Sequence, residues 1–253
     1  QQGNKMNSYL RSFGVLASLF GCVLSSTAAL GHSPVDFLEV VRVKPAQVIE
    51  HGVETRSRFD SGKKESKLEG PKYFSRGVGG MKRAVKSPRA YMNWFTIKNP
   101  TQQPKRQVDV LDMVRGGNSK QLQIGSAAFL ISPSQQLTSG APDEIPEGLD
   151  IYKAYEIHDG SSVDLKLDID GSLGKGKVSV GKPIYLCMSS EEWHHDETFS
   201  VTHPNDCFVV YEIEEQPAVS TFNTIDQFGI NELKGSTLRW ICVRAAFLRD
   251  KSK

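Results

Sequence analysis

The segment Phe208-Val-Val-Tyr-Glu-Ile213, followed by Thr224-Ile-Asp-Gln-Phe-Gly229 and Leu238-Arg-Trp-Ile-Cys-Val243, decides the fold. It repeats in three blocks what stands earlier as Tyr152-Lys-Ala-Tyr-Glu-Ile157, Lys166-Leu-Asp-Ile-Asp-Gly171 and Pro183-Ile-Tyr-Leu-Cys-Met188. Each copy opens on an apolar alternation ending in Tyr-Glu-Ile. A second run ends in a turn with Asp and Gly three residues apart, Asp168/Gly171 and Asp226/Gly229. A third closes on an aromatic and a cysteine, Tyr185/Cys187 and Trp240/Cys242. Fainter copies run from Tyr91 through Val108–Met113 to Ile131, and from Phe37 through Arg58–Gly62 to Phe74, where Ser75 fills the cysteine position. The period is roughly 54 to 60 residues, long for a solenoid unit.

The runs are short, alternate apolar with polar, and stop at Gly, Pro and Asn, which is the pattern of strands. Val163, Leu165, Leu167 and Ile169 fall on one face of the clearest of them, with charged residues between. Helical periodicity is missing, so the class is all-β. Four tandem repeats of about three short strands are expected. A lone three-stranded unit hides its apolar face poorly, so the repeats should pair into two pseudo-symmetric β-sandwich or barrel-like domains. Ser132 to Gly148, rich in small residues and proline, reads as the linker. The expected partition is 1–31 as an N-terminal segment, 32–133 as a basic domain, 134–149 as linker and 150–253 as an acidic domain. Repeat 1 is the least regular and is expected to be a degenerate cap or a basic arm.

The 253 residues are 38% hydrophobic and 24% charged, ordinary for a globular protein. From Met6, Arg11 precedes an apolar run from Phe13 to Leu24 and small residues up to Gly31. That is the layout of a secretory signal peptide cut after Ala29 or Gly31, with the residues ahead of Met6 an upstream extension. Export follows, to the periplasm, cell surface or extracellular space. A less favoured variant takes Leu19-Phe-Gly-Cys22 as a lipoprotein box with lipid on Cys22. Beyond residue 31, 32–133 hold 18 Lys/Arg against 9 Asp/Glu, and 134–253 hold 11 against 20. Such a dipolar chain either pairs its halves or offers each to a different partner. Arg56, Arg58, Lys63, Lys64, Lys67, Lys82 and Arg83 are the candidate contacts for an anionic envelope polymer, lipid headgroup or acidic protein surface; export argues against nucleic acid.

Three cysteines remain past the N-terminal segment, and an oxidising compartment favours one disulfide. Cys207–Cys242, at the two ends of the last repeat, is preferred over Cys187–Cys207. Asp168-Ile-Asp170-Gly171-Ser172 has the look of a calcium loop, but the equivalent turn Asp226-Gln-Phe-Gly229 puts Phe where a ligand would stand. The shared Asp and Gly are instead those of a turn whose Asp bonds the backbone and whose Gly takes positive φ. His194, His195 and His203 are weak candidates for a transition metal; their spacing matches no standard zinc motif. No nucleophile elbow or phosphate-binding glycine loop occurs, and no cofactor is expected. The recurring Tyr155, Tyr185, Tyr211 and Trp240 read as packing residues first, a sugar-stacking platform second.

The Tyr-Glu-Ile opening, the Asp-Gln-Phe-Gly turn and the final Leu/Ile-Cys resemble an uncharacterised bacterial repeat of exported proteins, often in tandem. The resemblance covers Asp150 to Ala246 and, more weakly, the first half. It implies architecture and export, and no activity. The function expected is therefore a non-enzymatic structural or binding module of the bacterial envelope or extracellular space. The rival is a small exported hydrolase or metal-dependent enzyme built on His194, His195 and His203.

Overall fold

The structure, a computed structural model, describes residues 34–81, 87–114, 118–137, 142–171 and 174–252. The N-terminal segment with Cys22, and Lys82 and Arg83, lie outside the described residues. Thirteen strands form one connected antiparallel sheet and no helix is present among the described residues. The strands fall into triplets that coincide with the sequence copies. They are β1 (Phe37–Pro45), β2 (Ile49–Ser57) and β3 (Lys64–Gly80); β4 (Tyr91–Lys98), β5 (Arg106–Asp112) and β6 (Ser119–Gln136); β7 (Tyr152–Ile157), β8 (Leu165–Gly171) and β9 (Gly174–His194). After the short β10 (Glu197–Phe199) come β11 (Asp206–Pro217), β12 (Thr221–Asp226) and β13 (Gly229–Asp250). The third strand of each triplet is long, 17, 18, 21 and 22 residues.

The long strands explain the architecture. The first half of each pairs with the second strand of its own triplet, as a hairpin. The later half pairs with opening strands on both sides. The pairings β1–β3, β3–β4, β4–β6, β6–β7, β7–β9, β9–β11, β11–β13 and β13–β1 close a ring. The result is an eight-stranded barrel, two strands per copy, with no free edge in the ring. Register shifts mark where a long strand passes from hairpin to barrel, as between Glu69 and Tyr73 in β3; bulges bend and twist strands at such corners. Gly70 sits at this bend with φ +136°, a conformation a side chain would strain.

Alternation then sorts the residues. One side of the barrel strands gathers Leu38, Met92, Trp94, Tyr152, Phe208 and Trp240 into a cluster that draws on all eight strands. Trp94 and Trp240 lie 6.1 Å apart although three strand steps separate β4 from β13 around the ring, so this cluster fills the interior. The closing aromatic of each copy meets the others there: Tyr73–Trp240 at 4.2 Å, Tyr185–Trp240 at 5.3 Å, Phe129–Tyr185 at 5.5 Å and Tyr73–Phe129 at 5.6 Å. The Trp94 indole N–H donates to Ser75 Oγ (3.0 Å), so its polar end is satisfied. An eight-stranded barrel is just wide enough for side chains to fill it, and this one is packed. The opposite side carries Phe37, Phe74, Phe95, Leu186 and Val243, covered by the hairpins through Val53, Leu68, Val108, Leu122, Leu167 and Phe222.

Each hairpin also reaches across the molecule. β2 pairs with the end of β9, β5 with the end of β13, β8 with the end of β3 and β12 with the end of β6. Every copy thus extends the long strand of the copy two places away. This corrects the expected division into 32–133 and 150–253. The two halves close one barrel along the seams β6–β7 and β13–β1, and each half's hairpins pair with the long strands of the other. The first residues of the expected linker continue β6 to Gln136, and residues 138–141 lie outside the described residues. Repeat 1 is no cap: β1 and β3 are barrel strands with Phe37, Val40 and Phe74 buried.

The Cys207–Cys242 disulfide is also corrected. Cys187, Cys207 and Cys242 are all free and buried. Cys242 stands opposite Val210, while Cys207 stands opposite Ala245. An odd offset of three residues turns Cys207 to the outer cluster and Cys242 to the interior, so their sulfurs point to opposite faces.

Candidate binding cleft

Buried polar groups first tie the copies together. Lys153 of β7 and Asp60 of the β2–β3 turn form an ion pair at 2.8 Å, their side chains 4% and 0% exposed. Asp60 also accepts from the Ser57 N–H (2.8 Å) and Gln103 Nε2 (3.0 Å). The repeated tyrosines act alike: the Tyr155 hydroxyl bonds Ser57 Oγ, and the Tyr211 hydroxyl donates to Asp112. Each links the opening strand of one copy to the second strand of the copy two places earlier. Burial pushes the Tyr155 phenol well above its ordinary range, so it stays a hydroxyl. Arg244 and Asp36 pair at 3.3 Å, both buried. These groups hold the barrel closed, and among the sequence candidates they account for Tyr155 and Tyr211.

Two of the described basic candidates, Arg56 and Lys63, are matched with acids. Arg56 meets Glu191 of the acidic half at 2.6 Å, and Lys63 meets Glu54 at 3.2 Å. Both cations lie over the Trp193 ring, at 5.8 and 3.9 Å. Arg58 donates to Asn205 Oδ1 (2.7 Å) and covers the Phe247 ring at 4.5 Å. Lys67 is exposed, Lys64 half-buried opposite Thr55. Ion pairs also cross between halves at Arg89–Asp143, Arg106–Asp250 and Arg249–Asp109. Pairs of the opposite sense, Lys153–Asp60 and Arg244–Asp36 among them, are as frequent among the described residues, so the ion pairs join the halves without cancelling their charge difference.

The three histidines do not share one site. His194 packs on Phe228 (5.1 Å), His195 (4.1 Å) and His51 (6.3 Å). Burial holds His51 and His194 below the ordinary imidazole value. His203 sits against Gly148, its Nδ1 3.0 Å from Thr202 Oγ1. Among the described residues no group of three or more His, Cys, Asp or Glu is disposed to hold a metal ion. The turn reading of Asp226 holds: its carboxylate accepts the Phe228 N–H at 2.9 Å, and Gly229 has φ +119°.

What sequence reasoning missed is a cleft of about 580 Å³ at the barrel end where β7 and β11 begin. Four elements wall it, the first being β6 with Pro133 and Gln135. The segment before β7 supplies Ile145, Gly148 and Leu149, the last buried in the interior cluster. β10 and its following loop supply Glu197, Phe199 and Thr202; Asp150 fixes that loop by accepting the Thr202 N–H (3.0 Å), the Thr202 hydroxyl (2.6 Å) and the His203 N–H (3.0 Å). The tip of the β12–β13 hairpin supplies Ile225, Asp226 and Gln227. Asn93 Nδ2 donates to Asp226 at 2.7 Å, yet burial raises the carboxyl to about 6. Behind the wall, Gln227 Nε2 donates to Glu192 Oε1, and burial pushes Glu192 up to about 8. Among the described residues Glu192 Oε2 has no hydrogen-bond partner. The lining comes from four distant stretches, 133–135, 145–151, 197–202 and 225–227. Only the repeated Asp226 turn had a sequence signal.

Fold and cleft together define a closed, all-β repeat barrel with a concave surface at one end. The chain belongs to the family described as a repeat of unknown function (DUF7450), whose match spans residues 91–244, from β4 into the last third of β13. No curated protein and no solved structure matches it.

Proposed function

We propose that this chain is an exported, non-enzymatic binding module, with a rigid repeat barrel as scaffold and the end cleft as its recognition surface. One observation carries the reading: the buried pairs Asp60–Lys153 and Tyr211–Asp112, away from the cleft, link copies of the barrel, while the cleft gathers an apolar wall and a few polar groups. That combination is the usual make-up of a small-ligand site. The composition of residues 6–31 supports export. The test is a thermal-shift screen of the full chain and an Ile145→Arg variant against anionic, cationic and neutral small molecules. Ile145 is 42% exposed on the rim, so the variant keeps its fold. A compound that stabilises the wild type and not the variant supports the reading; compounds that shift both equally, or none that shifts either, remove it.

A second reading, an anionic envelope component on the outer face of β2–β3, is favoured by exposed Arg56 and Lys63 over Trp193, with Arg58 and Lys67 exposed close by in sequence. Glu54 and Glu191 on the same face weaken it. Salt-dependent retention on a sulfated polysaccharide matrix, lost in Arg58→Glu/Lys67→Glu, supports this reading; unretained wild type rejects it.

A further inference from the structure

The cleft has a marked charge character. Its described lining includes Asp150, Glu197 and Asp226 and no lysine, arginine or histidine. Asp150 is occupied by the Thr202 and His203 bonds, and Asp226, half-buried at the hairpin tip, accepts from Asn93, Asn231 and the Phe228 N–H. Glu197, exposed on β10, is the carboxylate open to a newcomer, with Asp226 a fixed charge in the same cleft. Facing them are Ile145, Leu149, Ile151, Phe199 and Ile225. The cleft of about 490 Å³ at the other end of the barrel is different. It holds Lys182 and Arg239 together with Glu156 and Glu212, and Lys182 already pairs with Glu212 at 3.8 Å. The first cleft alone of the two joins unmatched negative charge to an apolar wall.

We infer that the end cleft binds a small organic cation, an alkylammonium group carried on a short aliphatic body. Asp226 and Glu197 attract the ammonium, and the wall of Ile145, Leu149 and Phe199 takes the hydrocarbon. Three further features fit this occupant. A volume of about 580 Å³ suits a small molecule. The Asp226 carboxylate is held by Asn93 and by the Phe228 N–H, so it is positioned before a ligand arrives, which lowers the ordering cost of binding. No cation among the described residues lines this wall against Asp226 and Glu197, so a bound ammonium supplies the missing counter-charge. An anion would meet repulsion from the same groups, and a neutral diol would gain the wall contact alone.

This inference rests on the reading of the chain as a binding module, and the experiment separates the two. The full chain is titrated calorimetrically with 1,6-diaminohexane, with 1,6-hexanediol and with adipate, and the titration is repeated on Glu197→Gln and Asp226→Asn. Saturable binding of the diamine is expected, with the diol at least ~10-fold weaker, a ratio that corresponds to ~1.4 kcal/mol, and adipate inert. Glu197→Gln, on an exposed strand that leaves the fold intact, should weaken the diamine several-fold, and Asp226→Asn by more. Equal affinity for diamine and diol, or binding indifferent to both variants, overturns the inference. If the diamine fails while an anionic or neutral compound gives an Ile145-dependent shift in the screen above, the cation assignment falls and the binding module stands. If a lysine-containing peptide binds where the diamine does not, the small-molecule occupant is wrong. If nothing binds in either experiment, both readings fall.

Discussion

Replacing Asp60 with asparagine leaves the Lys153 ammonium without its counter-charge in a site where the two side chains are 0% and 4% exposed. The asparagine cannot reproduce the contact. Its carbonyl oxygen can still accept from Lys153 and Ser57 but carries no charge, and its NH₂ then faces the Gln103 Nε2 donor that the carboxylate now accepts. Removing one member of a buried ion pair costs about 3–5 kcal/mol, because an uncompensated charge stays behind. For a chain of this size each kcal/mol moves Tm by roughly 2–4 °C, so Tm should drop by about 6–20 °C in a circular-dichroism melt at pH 7. The deficit has a definite pH dependence. Burial lowers the Lys153 pKa, and Asp60 works against that shift. A lysine whose folded pKa lies below its unfolded value costs stability while it is protonated, and the cost vanishes as pH rises toward the unfolded pKa. Without Asp60 the folded pKa falls further, so the gap to wild type should narrow as pH rises from 7 toward 10. Asp60→Asn/Lys153→Met, which removes both charges, should recover most of the loss. Arg56→Ala serves as the exposed control, its pair with Glu191 being 51% and 27% exposed; it should cost no more than about 1 kcal/mol. The reasoning is refuted if Asp60→Asn melts within the range of that control.

Glu192, with its folded pKa raised from 4.5 to about 8, favours the folded state below pH 4.5, and that contribution is lost as pH rises through 8; Glu192→Gln should therefore flatten the stability profile between those values, and an unchanged profile would show that the group titrates normally. Trp240→Ala removes an interior side chain in contact with four other rings and should cost about 3–5 kcal/mol in urea unfolding. Alkylation of the protein unfolded without reductant, read by mass spectrometry, should label Cys187, Cys207 and Cys242 alike; labelling of Cys187 alone would restore the disulfide.

The sequence carried the local order well and the long-range order poorly. Copies were visible because barrel closure demands the same residue kinds at the same steps: Tyr73, Phe129, Tyr185 and Trp240 share one position and meet at one place. The alternation over Leu165–Ile169 correctly marked β8, with Leu167 and Ile169 buried. Val163 fell outside the strand because Asp164 takes φ +48° just before it. The full length of β9 is not legible across Gly181-Lys-Pro183, since Gly and Pro ordinarily end strands; here Pro183 sits at a register shift opposite Tyr211, where the ladder is already interrupted. The two-domain division followed from the same habit. Local composition marks a change of chain character near residue 134, but pairing between β2 and β9 or β5 and β13 depends on residues about 135 positions apart, and no local pattern encodes it. Arg56 of the basic run meets Glu191, 135 positions further on, a pairing that no local pattern encodes either. The cleft was hidden for that reason too.

The single barrel is tested most directly by cutting it. Residues 32–133 and 134–253, expressed separately, should each lack a cooperative unfolding transition: each keeps a four-stranded arc with two bare edges, and its hairpins lose the strands they pair with. Mixed, they should recover the sheet signal and melt of the intact chain. A cooperative melt from 32–133 alone, unchanged on adding the other half, would contradict the single barrel and return the chain to two domains.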